Sequence, residues 1–373
     1  MVHSVDRVLA GDSRRPNNRV VSVRIWIDID NPPQTQYLTP FVAAFERRGD
    51  EVIVTARDNG MTYELLNQAK VSFIPVGGHF GNARIRKVIG GLMRAATLIR
   101  HIKQSGSATL LLASSRSSAL AARVLRIPAF IICDYEHVEL NSYRRAGVSL
   151  LFPDVIDERI FIEMGFPHDR LLPFRGLKED ITFAGLSHTA PPPGELEEQD
   201  GLVRVLVRPP AEDSHYFTER SRDLFHDALE LLASHAEVRV VMAPRHPVQA
   251  ERLRRHSWIN EPIVLRRAVP AVSLLTAVDW VICAGGTMLR EAAYLGVPAI
   301  GIFQGRIGSV DAYLAKLGAI RLVSDAAELD NIDWRAESAS LIIRRHPEVV
   351  EQLAEELWEH VRVPSRLRQR DHV

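Results

Sequence analysis

Short apolar runs rich in β-branched residues alternate along the chain with stretches whose apolar positions recur every third or fourth residue. The first pattern fits strands buried on both faces and the second fits amphipathic helices, so the alternation predicts parallel sheets with helical crossovers. In the first half it predicts strands over 20–29, 51–56, 71–76, 109–113, 129–133 and 149–152, and helices over 37–48, 62–69, 85–103 and 118–125. A break follows: 171–173 and the RGLKED segment lead into 189–200, which holds three consecutive prolines and the acidic run GELEEQD. That composition belongs to a connector. The alternation then restarts, with strands over 203–207, 238–242, 263–265, 280–283, 299–302 and 320–323, and helices over 217–234, 248–256, 271–277, 287–295, 310–317 and 347–361. The expected fold class is α/β, with two Rossmann-like domains facing across a cleft. The division is a flexible tail at 1–19, a first domain at 20–175 and a second at 176–345. Ligands of such sheets bind beyond the carboxyl ends of the strands, so chemistry is sought there.

Composition narrows the partners. Forty-six Lys and Arg balance 46 Asp and Glu over 373 residues, which argues against a non-specific nucleic-acid surface. The two cysteines, Cys133 and Cys283, are far apart at the ends of apolar runs and offer neither a disulfide framework nor a zinc cluster, in keeping with a reduced, cytoplasmic setting. No apolar stretch approaches the ~20 residues that span a bilayer.

Five segments could carry chemistry. In the stretch starting at Asp279, Gly285 and Gly286 form a tight turn, Thr287 stands where a helix would be capped, and Glu291 follows one turn later. Backbone N–H groups at a helix start suit a phosphate, and Glu291 could accept hydrogen bonds from a ribose or sugar diol. A plain strand-to-helix turn with an N-cap fits the same spacing. After the first strand comes DIDNPPQTQ, in which Pro32 and Pro33 stiffen a loop ahead of the helix at 37. Asp28 and Asp30 admit three readings: a metal-binding Asp-x-Asp, a phosphatase nucleophile and acid, or a loop cap beside a solvated carboxylate. CDYEH at 133–137 places Asp134, Glu136 and His137 at another strand end, as an acid–base group or as bonding within a long loop. Arg208 and Arg245 follow second-half strands, where their forks suit a diphosphate. The segment 84–103 is a basic amphipathic helix, compatible with peripheral contact to anionic lipid or with core packing and a solvated basic face, and His79 before it is a fallback base.

GGTMLREAAYLGVPAI resembles the donor-binding segment of GT-B glycosyltransferases and of the related UDP-N-acetylglucosamine 2-epimerases. With IWIDIDNPPQTQYLTPF, EVIVTARD, CDYEH, FRGLKED and VRPPAEDSHY, most of 23–345 resembles a family of predicted GT-B glycosyltransferases catalogued as a domain of unknown function. That family is also related to the lipid-linked N-acetylglucosaminyltransferase of peptidoglycan synthesis. The resemblance implies a GT-B fold, with the donor held mainly by the second domain, the acceptor mainly by the first, and the helix at 346–362 packed back on the first. It implies a cytoplasmic or membrane-peripheral glycosyltransferase that uses a nucleotide sugar, a UDP-sugar by preference, and a lipid-linked or saccharide acceptor. It needs no metal or other cofactor and binds no nucleic acid. Glu291 would hold ribose; Gly285, Gly286, Thr287, Arg208 and Arg245 the diphosphate; Asn31, Gln34 and Asp134 further substrate groups; and Asp30, Glu136 or His79 the catalytic proton. The resembled family commonly has histidine where this chain has Gln34, and an amide cannot serve as a base near neutral pH. A 2-epimerase or hydrolase, and a non-catalytic nucleotide-sugar-binding protein, are the alternatives.

Overall fold

The computed structural model describes residues 23–78, 84–186, 190–197, 200–210, 218–244, 249–251, 256–266, 269–335 and 343–362. The first sheet comprises β1 (Arg24–Ile29), β2 (Glu51–Ala56), β3 (Ile74–Pro75), β4 (Leu110–Ala113), β5 (Ala129–Ile132), β6 (Ser149–Pro153) and β7 (Leu171–Phe174). The second comprises β8 (Val203–Arg208), β9 (Val238–Met242), β10 (Ile263–Val264), β11 (Trp280–Cys283), β12 (Ala299–Gly301) and β13 (Ile320–Leu322). Their orders are β3-β2-β1-β4-β5-β6-β7 and β10-β9-β8-β11-β12-β13, parallel throughout. Strand order reverses between β1 and β4 and between β8 and β11, and the splayed crossovers there leave a crevice at the carboxyl ends.

Side-chain alternation sends the two faces of β1 into different cores. Ile25, Ile27 and Ile29 pack with Leu38, Phe41 and Phe45 of the Pro32–Arg47 helix and with Leu353 and Leu357 of the Val349–Arg362 helix. Trp26 faces the other way, toward Ala95, Leu98 and Ala119 of the Arg84–Gln104 and Arg116–Leu125 helices.

Several elements depart from the sequence expectation. The helix placed at 37 begins at Pro32, because Asn31 accepts the Gln34 N–H as N-cap and prolines at the first two positions have no N–H to satisfy. Residues 171–174, expected to be connector, form β7; Pro173 is tolerated because β7 is an edge strand paired only with β6. The helices at Asn141–Ala146, Glu158–Glu163 and Lys178–Thr182 are too short to show a period.

Asp180 knots the crossing between the two sheets. Its Oδ2 accepts from the Leu177 N–H at 2.8 Å, and its Oδ1 from the Tyr294 hydroxyl at 2.8 Å and the His346 N–H at 2.6 Å. Gly176 beside it has φ +107°, and a Cβ there would lie 2.7 Å from Asp180 Oδ2, so only glycine fits.

Candidate functional site

At the carboxyl end of β11 the chain turns into the Gly286–Leu295 helix. Gly285, not Thr287, is the N-cap; it is extended (φ −156°, ψ 154°) and makes no side-chain cap. Gly285 thus offers no side chain to the first-turn N–H groups, which lack intrahelical acceptors. Glu291, 4% exposed, lies on the buried side of the same helix. Arg290 also turns inward, reaching Asp311 at 2.6 and 2.9 Å and, across the cleft, the Asp134 carboxylate at 2.8 Å and carbonyl at 3.0 Å. A Cβ on Gly286 would stand 3.2 Å from that guanidinium.

The loop after β5 supplies the facing wall. Asp134 receives Lys178 as well as Arg290. Burial drives the Asp134 carboxyl up, but these two cations outweigh it and hold the group at about 2. Glu136 accepts from the Ser309 N–H (2.7 Å) and hydroxyl (2.6 Å), capping the Ser309–Lys316 helix of the other half, while its Oε2 is buried without a hydrogen-bond partner. Tyr135 donates to the Arg306 carbonyl at 2.7 Å, and His137 lies 3.2 Å from that of Ile307. The segment 134–137 thus clasps the two halves.

Glu179 is 1% exposed and keeps Oε1 without a hydrogen-bond partner. Burial raises its carboxyl, against the pull of Lys178 and Arg290. Burial likewise pushes Glu291 up to about 8; Lys178 and Arg208 oppose the rise, and Glu179 and Asp134 add to it. Lys178 and Arg290 share Asp134, and Arg290 also pairs with Asp311, so two buried cations stand at this wall of the cleft. A cavity of about 180 Å³ opens between Gly286, Thr287 and Arg290 on one side and Asp134, Tyr135 and Val138 on the other.

The residues after β1 are held differently. Asp28 is fully buried, paired with both Arg94 nitrogens (2.8 and 3.0 Å) and accepting from Thr55 at 2.6 Å. With both oxygens engaged, it is unavailable as nucleophile, base or metal ligand. Gln34 accepts the Asp30 N–H at 2.6 Å and donates to the Ser114 carbonyl at 3.3 Å, so its amide braces the crevice between β1 and β4. Asn31 is a helix cap, and Asp30 lies 3.4 Å from Arg57. Arg208 donates to the Ala243 carbonyl at 2.9 Å. His79 and Arg245 lie outside the described residues.

The structure thus gathers Asp134, Glu136, Arg208, Gly286, Thr287 and Glu291 around one cleft and adds Lys178, Glu179, Arg290 and Asp311, which the sequence reading did not select. In the sequence Lys178 and Glu179 belong to the charged RGLKED segment at the domain crossing, where Glu179 reads as a hinge residue; their burial is a tertiary effect.

Two parallel sheets of Rossmann-like order facing one another define a GT-B fold. The chain belongs to the family described as a protein of unknown function, DUF354, whose model matches residues 23–361. An uncharacterized protein of Methanocaldococcus jannaschii is 27% identical over 318 residues, 84% of this chain and 91% of that one. Among solved structures, a Staphylococcus aureus MnaA–UDP co-structure is similar with TM-score 0.70 and 10% identity, covering 92% of this chain and 98% of that one. The UDP-GlcNAc 2-epimerase of Neisseria meningitidis bound to UDP-GlcNAc gives 0.67 and 13%, with 91% and 99% covered. The glycotransferase of kitacinnamycin gives 0.53 and 14%, with 91% and 96% covered. At these identities the likeness is one of fold.

Proposed function

We propose that this protein binds a nucleotide sugar, a UDP-sugar, in the cleft and transfers its glycosyl group to an acceptor. The observation that carries this reading is the helix start at Gly286, without a side-chain cap, with Glu291 buried beyond it and Lys178 and Arg290 beside it. Fixed N–H dipoles and buried cations suit a diphosphate and stabilise it as a leaving group. Glu291 takes the ribose hydroxyls. The presence of UDP and UDP-GlcNAc in the MnaA and N. meningitidis structures supports the uridine nucleotide. Gln34 positions the first-half crevice, and the base is one of the two cleft carboxyls that keep a buried oxygen unpartnered, Glu136 and Glu179.

A thermal-shift panel of nucleotide sugars tests the donor site. A ligand at 100 times its Kd adds about 2.7 kcal/mol. Glu291→Ala is expected to abolish that gain, and an unchanged response in this variant would remove the assignment. A 2-epimerase or hydrolase on the same fold is the second reading, favoured by the carboxyls of Glu179 and Glu291, both raised by burial. Consumption of a UDP-sugar with no acceptor present would install it in place of the transferase. Saturable stabilisation without turnover of any donor would reduce the role to binding.

A further inference from the structure

Among the described side chains of the Arg84–Gln104 helix, one apolar face is packed and another is exposed. Ala95, Leu98 and Ile102 turn into the core against the Arg116–Leu125 helix. Val88, Ile89, Leu92 and Met93 are 63, 53, 55 and 61% exposed. At spacings of one, four and five residues they form one stripe over the first turns of the helix. Single exposed apolar side chains are ordinary, whereas a contiguous stripe marks a contact surface. The stripe borders the strand-end crevice: Arg94, next in sequence, reaches Asp28 at the end of β1 and the Val76 carbonyl at 3.0 Å.

Charge identifies the occupant. No Asp or Glu occurs between Glu64 and Asp134, while ten Lys and Arg do; Arg94 is buried against Asp28, and Arg100, Lys103, Arg123 and Arg126 are exposed. On the opposite face of the same sheet, the Val349–Arg362 helix carries Glu351, Glu355, Glu356 and Glu359. The chain is neutral as a whole, yet its first half is polarised, basic where the bare apolar stripe lies and acidic behind it. A nucleic acid would match the charge but leave the stripe in water. No helix among the described residues is long and apolar enough to cross a membrane.

We infer that the face built by residues 88–126 docks peripherally on an anionic bilayer, with Val88, Ile89, Leu92 and Met93 inserted at the headgroup boundary and the basic side chains on lipid phosphates. On the transferase reading, on which this consequence alone rests, the acceptor is a lipid-held group reached from the membrane surface. The test is co-sedimentation of the full chain, without nucleotide, with phosphatidylcholine vesicles and with vesicles containing phosphatidylglycerol. Binding is expected to the anionic vesicles only and to weaken with salt. Leu92→Glu combined with Met93→Glu should lower it by about tenfold or more, and Arg100→Glu with Lys103→Glu by a similar factor. Melting curves should stay unchanged, since all four side chains are outside the core. The inference is overturned by absence of binding to anionic vesicles, by wild-type binding in the Leu92/Met93 variant, or by preference for an RNA oligonucleotide over vesicles. It is also overturned if the stripe proves to join two copies, with the variant dissociating a dimer while vesicle binding persists. Because no nucleotide is present, failure here leaves the Glu291 donor test untouched, and the reverse holds.

Discussion

The ends of β1 and of β7 both bring buried charged residues to the carboxyl edge of the first sheet, but they meet their electrostatic needs in opposite ways. After β1, Asp28 is saturated by Arg94 and Thr55, Gln34 spans two backbone groups, and Asn31 caps a helix. After β7, Lys178 pairs with Asp134 at the end of β5, and Glu179 keeps a buried oxygen without a hydrogen-bond partner. Burying a polar group without a partner costs about 1–3 kcal/mol, so an unpaired carboxylate oxygen beside a cleft is a candidate for contact with a ligand. The two strand ends thus differ in the satisfaction of their polar atoms, although both are buried.

The sharpest way to break this contrast is Asp28→Asn. It strands the buried Arg94 charge and should cost about 3–5 kcal/mol in urea unfolding, while donor-induced stabilisation of the remaining folded protein survives. Loss of donor response out of proportion to stability would move Asp28 from scaffold to site. Next in size is a pH effect at Glu291. Between its ordinary 4.5 and about 8 the folded protein holds a proton that the unfolded chain has released, so this group's contribution to stability is complete below about pH 4.5 and is lost as pH rises through 8. Subtracting the Glu291→Gln stability profile from that of the wild type should leave this falling slope, and a flat difference would refute the raised carboxyl. Because ribose binding favours the ionised form, UDP-GlcNAc affinity should tighten over the same rise in pH. The smallest stability effect is expected for Glu179→Gln, within about 0.5 kcal/mol of wild type because no hydrogen bond is lost at Oε1. Turnover in the same variant should fall by about 10²-fold or more, and an unchanged rate would leave Glu136 as the base.

Much of this was legible in the residues. The runs IWIDI, TLLLA, VRVLV and DWVIC declared central parallel strands because burial on both faces demands continuous apolar sequence, and the Gly-Gly turn after Cys283 marked a candidate anion site by its missing side chains. Other features escaped for definite reasons. LLPF reads as a connector because proline breaks ladders, yet β7 has only one neighbour to bond. The helix start at Asn31-Pro32-Pro33 carried its signal openly, but two prolines in succession look like a loop until the cap is recognised. The stripe at 88–93 shares its helical period with a core face, and periodicity gives the angle between residues but not which side meets the sheet.

By itself, then, the sequence determined the α/β alternation, the two successive sheets, the strand ends where chemistry belongs and the candidacy of Glu291 and Arg208, because all of these follow from local pattern and backbone stereochemistry. Only the tertiary structure decided which charged side chains are spent. Whether a carboxylate is satisfied depends on partners tens of residues away, such as Arg94 for Asp28 and Ser309 for Glu136, and on the exclusion of water that raises Glu179 and Glu291.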